Sequence, residues 1–149
     1  RMKLSTPRWW YLREDAPACL LDLGMGRKFD DDNSTLINRT EQMACLSFRA
    51  PELTRGDPVD ARADVYGLAA TLFTALSGKR PFQARTQLEL VRKIRWDAPL
   101  ALNELRPDVS PALANVIARA LEKDAAARYA DMPAFGQALK EALFSENEK

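Results

Sequence analysis

With no histidine anywhere, the chain lacks the commonest general base at neutral pH. A Ser-His-Asp hydrolase and a Cys-His nucleophile are both excluded. Cys19 and Cys45 are the only cysteines, too few for a Cys/His zinc site without an imidazole, and read as reduced thiols. Any chemistry must therefore rest on carboxylates or on a metal. The acids that stand out are Asp22 in Asp22-Leu23-Gly24, Glu52 in Ala50-Pro51-Glu52, and Asp64 at the head of an apolar run. Between the first two lie the hydroxyls of Ser34, Thr35, Thr40 and Ser47, beside the loop-forming Asp30-Asp31-Asp32-Asn33.

The elements that must position these groups follow from apolar spacing. Trp9 to Leu12 and Ala18 to Leu21 are short apolar runs separated by a polar, proline-ended turn, which predicts a β-hairpin. Residues 24–49 keep no period, and so long a loop in a compact domain is uncommon unless functional. Beyond Pro51 the pattern is helical. Asp60 to Ser77 carries Val65, Leu68, Ala69, Leu72, Phe73 and Leu76 as one stripe, stopped by Gly78. Thr86 to Trp96 carries Leu88, Val91 and Ile94, and Pro99 closes it. Ser110-Pro111 is an N-cap followed by proline at the first helical position, with Leu113, Val116, Ile117, Ala120 and Leu121 on one face. Asp131 caps a last helix bearing Phe135, Leu139 and Leu143. The fold class this implies is α+β, mainly α: a short hairpin beside a cluster of four to five helices.

Bulk properties narrow the partners. The chain has 149 residues, enough for one domain, and a formal net charge of +1, so no overall field draws it to nucleic acid or anionic lipid. No apolar run approaches the ~20 residues that cross a bilayer, and no signal-peptide core follows Arg1-Met2-Lys3. A cytoplasmic location is the expectation.

Taken together, Asp22-Leu23-Gly24 and Ala50-Pro51-Glu52 resemble the two ends of a protein kinase activation segment. Asp64-Val65-Tyr66, Ser77-Gly78-Lys79-Arg80-Pro81-Phe82 and Lys123-Asp124-Ala125-Ala126-Ala127-Arg128-Tyr129 then follow in the order of landmarks in a kinase C-terminal lobe. The resemblance covers nearly the whole chain, and its flavour is that of bacterial serine/threonine kinases. It implies three regions: 1–24, hairpin and Asp-Leu-Gly; 25–52, activation segment; 53–145, helical subdomain. It also implies that Asp22 is the Mg²⁺ ligand and, with Gly24, part of the Mg-ATP site of a parent protein. Glu52 and Arg128 would form a buried ion pair, and Asp64 would accept hydrogen bonds from catalytic-loop amides. Thr40, Thr35 and Ser34 are candidate phosphosites, and Cys45 and Ser47 belong to the substrate-docking loop. The plain alternatives are a solvated aspartate, a first-turn helix acid and ordinary loop hydroxyls.

The sequence also departs from that family. Cys45 stands where a threonine is expected, and cysteine is a poor hydrogen-bonding substitute. Counting back from Asp22 puts Leu4, Thr6 and Trp9 at the catalytic aspartate, lysine and metal-binding asparagine. No Gly-rich loop, strand lysine or partner glutamate is present. Two accounts stay open: a C-lobe cut away from its N-lobe partner and catalytic loop, inactive alone, or a non-catalytic pseudokinase that docks a protein substrate or regulatory protein. An unrelated helical interaction domain is a third.

Overall fold

The computed structural model describes residues 45–144. The expected hairpin, Asp22-Leu23-Gly24 and the hydroxyls Ser34, Thr35 and Thr40 lie outside the described residues. Within them the chain is helical: α1 (Pro51–Arg55), α2 (Arg62–Ser77), α3 (Gln87–Trp96), α4 (Leu102–Leu105), α5 (Pro111–Ala120) and α6 (Met132–Phe144), with a 3₁₀ turn at Ala125–Ala127. The four longer helices are those expected from periodicity. The four-residue α4 was not anticipated, because one turn holds too few residues to show a period.

α2 is the centre of the fold, contacting α4, α5 and α6. Val65, Tyr66, Ala69, Ala70 and Phe73 are all buried along it, and Ala69 and Ala70 are small enough to let neighbouring helices approach closely. The buried arc is wider than a single stripe, and one predicted member departs from it: Leu68 is 37% exposed. Asp60 receives the Arg62 backbone N–H at 2.9 Å at the start of α2. At its end Gly78 adopts a left-handed φ of 69° and donates its N–H to the Thr74 carbonyl, a conformation in which glycine carries no Cβ penalty.

The face of α3 also differs from expectation. Thr86 caps it, its side chain accepting from the Glu89 N–H, and Leu90 and Ile94 are its buried residues. Leu88, assigned to the core by spacing, is 82% exposed. Leu88 and Leu90 lie about 200° apart on a 3.6-residue helix, so the core contacts that claim Leu90 turn Leu88 to solvent.

α5 starts as its residues dictate, with Ser110 Oγ accepting from the Leu113 N–H at 3.1 Å and Pro111 following. α6 is capped by Asp131, which accepts the Ala134 N–H at 2.8 Å. Phe135 is fully buried, whereas Leu143 is 50% exposed at the last turn. Ala142 takes the inward position instead.

Candidate functional site

The site grows from Glu52, in the first turn of α1, and Arg128, just after the 3₁₀ turn. Both are buried. Arg128 Nη1 donates to Glu52 Oε1 at 2.7 Å and Nη2 to Oε2 at 2.8 Å, the parallel fork that suits guanidinium and carboxylate. Its remaining donors meet backbone carbonyls: Nη1 to Arg62 at 3.0 Å, Nε to Glu122 at 2.7 Å and Nη2 to Lys123 at 3.4 Å. All five guanidinium N–H groups are thereby used. One side chain ties α1, the head of α2 and the loop after α5 together.

Burial pushes the Glu52 carboxyl up, but the Arg128 hydrogen bonds, a backbone N–H and the Arg128 charge together outweigh it and leave the pKa below its ordinary value. The Tyr66 ring lies 5.0 Å from the Arg128 guanidinium carbon. Among the described residues its hydroxyl is buried without a hydrogen-bond partner, and burial pushes its pKa up. A buried hydroxyl without a partner keeps its desolvation penalty. Tyr66→Phe is therefore expected to raise stability by about 1 kcal/mol, read from the urea midpoint. A loss of that size would show the hydroxyl to be bonded in solution.

Other side chains hold the same region. Arg95 on α3 donates Nε to Thr54 Oγ1 at 3.0 Å and Nη2 to the Thr54 carbonyl, fastening α1 from its other side. Lys123 Nζ donates to the Ile94 carbonyl at 2.7 Å at the end of α3 and lies 3.9 Å from the centre of the Phe82 ring. Burial brings its pKa down to about 8. None of these contacts was foreseen from sequence. Arg95 and Thr54 are 41 residues apart, and a carbonyl partner carries no residue signature.

Of the predicted site residues, the structure brings Glu52 and Arg128 together. Asp64 stands exposed in the first turn of α2. Cys45 is half-buried, and Ser47 is buried and accepts from Arg80 Nη1 at 3.4 Å. Ser47, Lys79, Arg80, Phe82 and Gln83 line a cleft of about 330 Å³ between the 45–49 segment and the turn after α2.

The sequence pattern of the protein kinase domain matches residues 12–144 of this chain. The chain belongs to the protein kinase domain family. Among bacterial serine/threonine kinases, PknF of Mycobacterium tuberculosis is 35% identical over 126 residues, covering 84% of this chain and 26% of PknF. PknB of Mycolicibacterium smegmatis is 29% identical over 110 residues, covering 74% and 18%. The solved kinase domain of PknI from M. tuberculosis superposes with a TM-score of 0.50 at 34% identity, covering 64% of this chain and 34% of that one. The autoinhibited serine kinase domain of titin gives 0.59 at 24% identity, covering 70% and 32%, a likeness of fold alone. The chain spans between 18% and 26% of the length of these curated relatives.

Protein kinases take their phosphoryl group from Mg-ATP. In this kinase chain the groups expected to meet it, Asp22 and Gly24, lie outside the described residues. Among the described residues no set of three His, Cys, Asp or Glu side chains is placed to hold a metal ion. No helix among them is long and apolar enough to cross a membrane.

Proposed function

We propose that this chain is the C-lobe portion of a protein serine/threonine kinase whose parent transfers the ATP γ-phosphate to protein Ser or Thr, and that alone it transfers none. The observation that carries this reading is the fully satisfied Arg128 guanidinium, which fixes Ala50-Pro51-Glu52 to the helical body. A docking segment that must present a substrate hydroxyl needs such an anchor, because small misplacements of reactants are expensive in rate. In this reading the chain divides into 1–24, the activation segment 25–52 and the helical subdomain 53–145. Asp22 holds Mg²⁺ with Gly24 beside it, and Asp64 receives catalytic-loop amides supplied from outside the described residues. Thr40, Thr35 and Ser34 are the candidate phosphosites, and Cys45 and Ser47 belong to the substrate-docking loop. The N-lobe supplies the other half of the ATP cleft.

Cys45 favours a second reading. Without a hydroxyl at that position, the bridge expected between catalytic aspartate and lysine is lost, as it would be in a pseudokinase that only docks proteins. One pair of experiments separates these readings. Residues 1–149 titrated with Mg-ATP in a calorimeter are expected to give no measurable heat of binding, and micromolar affinity would defeat the inactive-fragment reading. The parent carrying an N-lobe is expected to transfer ³²P to serine or threonine peptides. Its failure to do so would establish the docking module.

A further inference from the structure

α1 is five residues long, and so short a helix is not stable by itself. Pro51 and Glu52 are its buried residues, while Leu53 and Arg55 are exposed, so no apolar stripe fixes its direction. Among the described residues the helix it packs against most is α3. Two guanidinium groups hold it. Arg128 takes the Glu52 carboxylate, but that carboxylate stands at the end of a side chain with several torsions between it and the backbone. Such a fork fixes where α1 begins and leaves its axis able to pivot. Arg95 grips differently. Its Nη2 donates to the backbone carbonyl of Thr54, and its Nε donates at 3.0 Å to Thr54 Oγ1, on a β-branched side chain that is stiff at χ1. The same hydroxyl donates to the Pro51 carbonyl at 2.7 Å, so the grip reaches back to the first residue of the helix. The guanidinium is itself confined, its carbon lying 5.7 Å from the centre of the Trp96 ring.

Residues 45–49 run into α1 through Ala50, its N-cap, which has no exposed surface. A pivot of α1 therefore carries that segment with it. We infer that Arg95 is a positioning residue for protein-substrate docking: from α3 it sets the direction of α1 and, through Ala50, the pose of residues 45–49. Small displacements of a docked reactant are expensive in rate, which is what a grip on backbone atoms prevents. The inference rests on the reading of residues 45–49 as a substrate-docking segment and deepens it by naming the residue that sets the segment's pose.

Hydrogen exchange on the full 149-residue chain reads this pose without any phosphoryl transfer. Arg95→Ala should speed exchange about tenfold at the Thr54 and Gly56 amides, which donate to the Ala50 and Glu52 carbonyls, and leave the amides of α2 and α6 unchanged. Thr54→Val, which keeps the shape and loses the hydroxyl, should give a smaller rise at the same amides. Thr54→Ser should match wild type. Arg92→Ala removes a guanidinium of the same helix that pairs with Asp97 instead, and should leave α1 as it was. Unchanged exchange in α1, a rise shared by every helix, or an equal effect of Arg92→Ala would overturn the inference. In a parent carrying the N-lobe, Arg95→Ala should raise KM for a serine peptide about fivefold or more with KM for Mg-ATP unchanged, and Arg95→Lys should recover part of the loss. A parent that transfers phosphate with an unchanged peptide KM sinks the positioning role and leaves the kinase reading intact. A parent without transfer activity sinks that reading instead. Peptide affinity by fluorescence anisotropy then takes the place of KM, with the same fivefold loss on Arg95→Ala expected and an unchanged affinity overturning the inference.

Discussion

Arg128→Ala is expected to lower folding stability by about 3–5 kcal/mol, the range seen when one partner of a buried ion pair is removed. The loss exceeds that of a surface pair because the Glu52 carboxylate would remain buried without its counter-ion, and three carbonyls, those of Arg62, Glu122 and Lys123, would lose a donor together. Arg128→Lys should recover only part of it. An ammonium has three donors at one point and cannot reproduce the planar fork on Glu52. The pair also makes a prediction in pH. Glu52 has a folded pKa below its ordinary value of 4.5. Its contribution is therefore complete above the unfolded pKa and is lost as pH falls through the folded one. Urea midpoints near neutrality should separate wild type from Arg128→Ala widely, and the gap should narrow in acid. A difference within about 0.5 kcal/mol near neutrality, the scale of an ordinary surface substitution, would mean that the pair does not hold the fold.

Local signals were legible in the sequence where they act locally. Ser110-Pro111 and Asp131 each specify a helix start within one turn, and the hydroxyl and carboxylate do what their types predict. Faces were less legible. On α3 both Leu88 and Leu90 combine with Val91 and Ile94 at helical spacings, so periodicity alone cannot choose between them. The choice is made by tertiary packing, which buries Leu90 and leaves Leu88 to water. On α2 the difficulty was the reverse. A helix buried over a broad arc has no sharp stripe, and Tyr66 and Ala70 were missed while Leu68 was included wrongly. The Glu52–Arg128 pair spans 76 residues and was accessible only through resemblance to a family. Its carbonyl partners were not accessible at all, because a backbone oxygen is the same at every position. The same limit hid the cleft beside Ser47. That lysine and arginine follow Gly78 is plain in the sequence, but that they line a cleft with Ser47 and Phe82 is a property of the fold.

Phe135→Ala is the second large effect, expected to cost about 3–5 kcal/mol as a fully buried aromatic truncated to a methyl group. Phe135 has no exposed surface, and its ring centre lies 5.4 Å from that of Tyr129 at an interplanar angle of 34°. Tyr129 is also covered by the Arg119 guanidinium, 4.4 Å from its ring centre, so α5 and α6 are joined through it. Collapse into the space left by Phe135 would have to move Tyr129, which follows Arg128 directly in the chain. Any such movement shifts the guanidinium against Glu52. The two substitutions should therefore not be independent. In a double-mutant cycle Arg128→Ala should cost less in the Phe135→Ala background than in wild type, because the first change has already loosened the second contact. Phe144→Ala, at a ring 65% exposed on the last turn of the same helix, should stay within about 0.5 kcal/mol. Comparable losses for Phe135→Ala and Phe144→Ala would mean that α6 is not anchored through Phe135. Strict additivity with Arg128→Ala would mean that Tyr129 does not carry strain between the core and the ion pair.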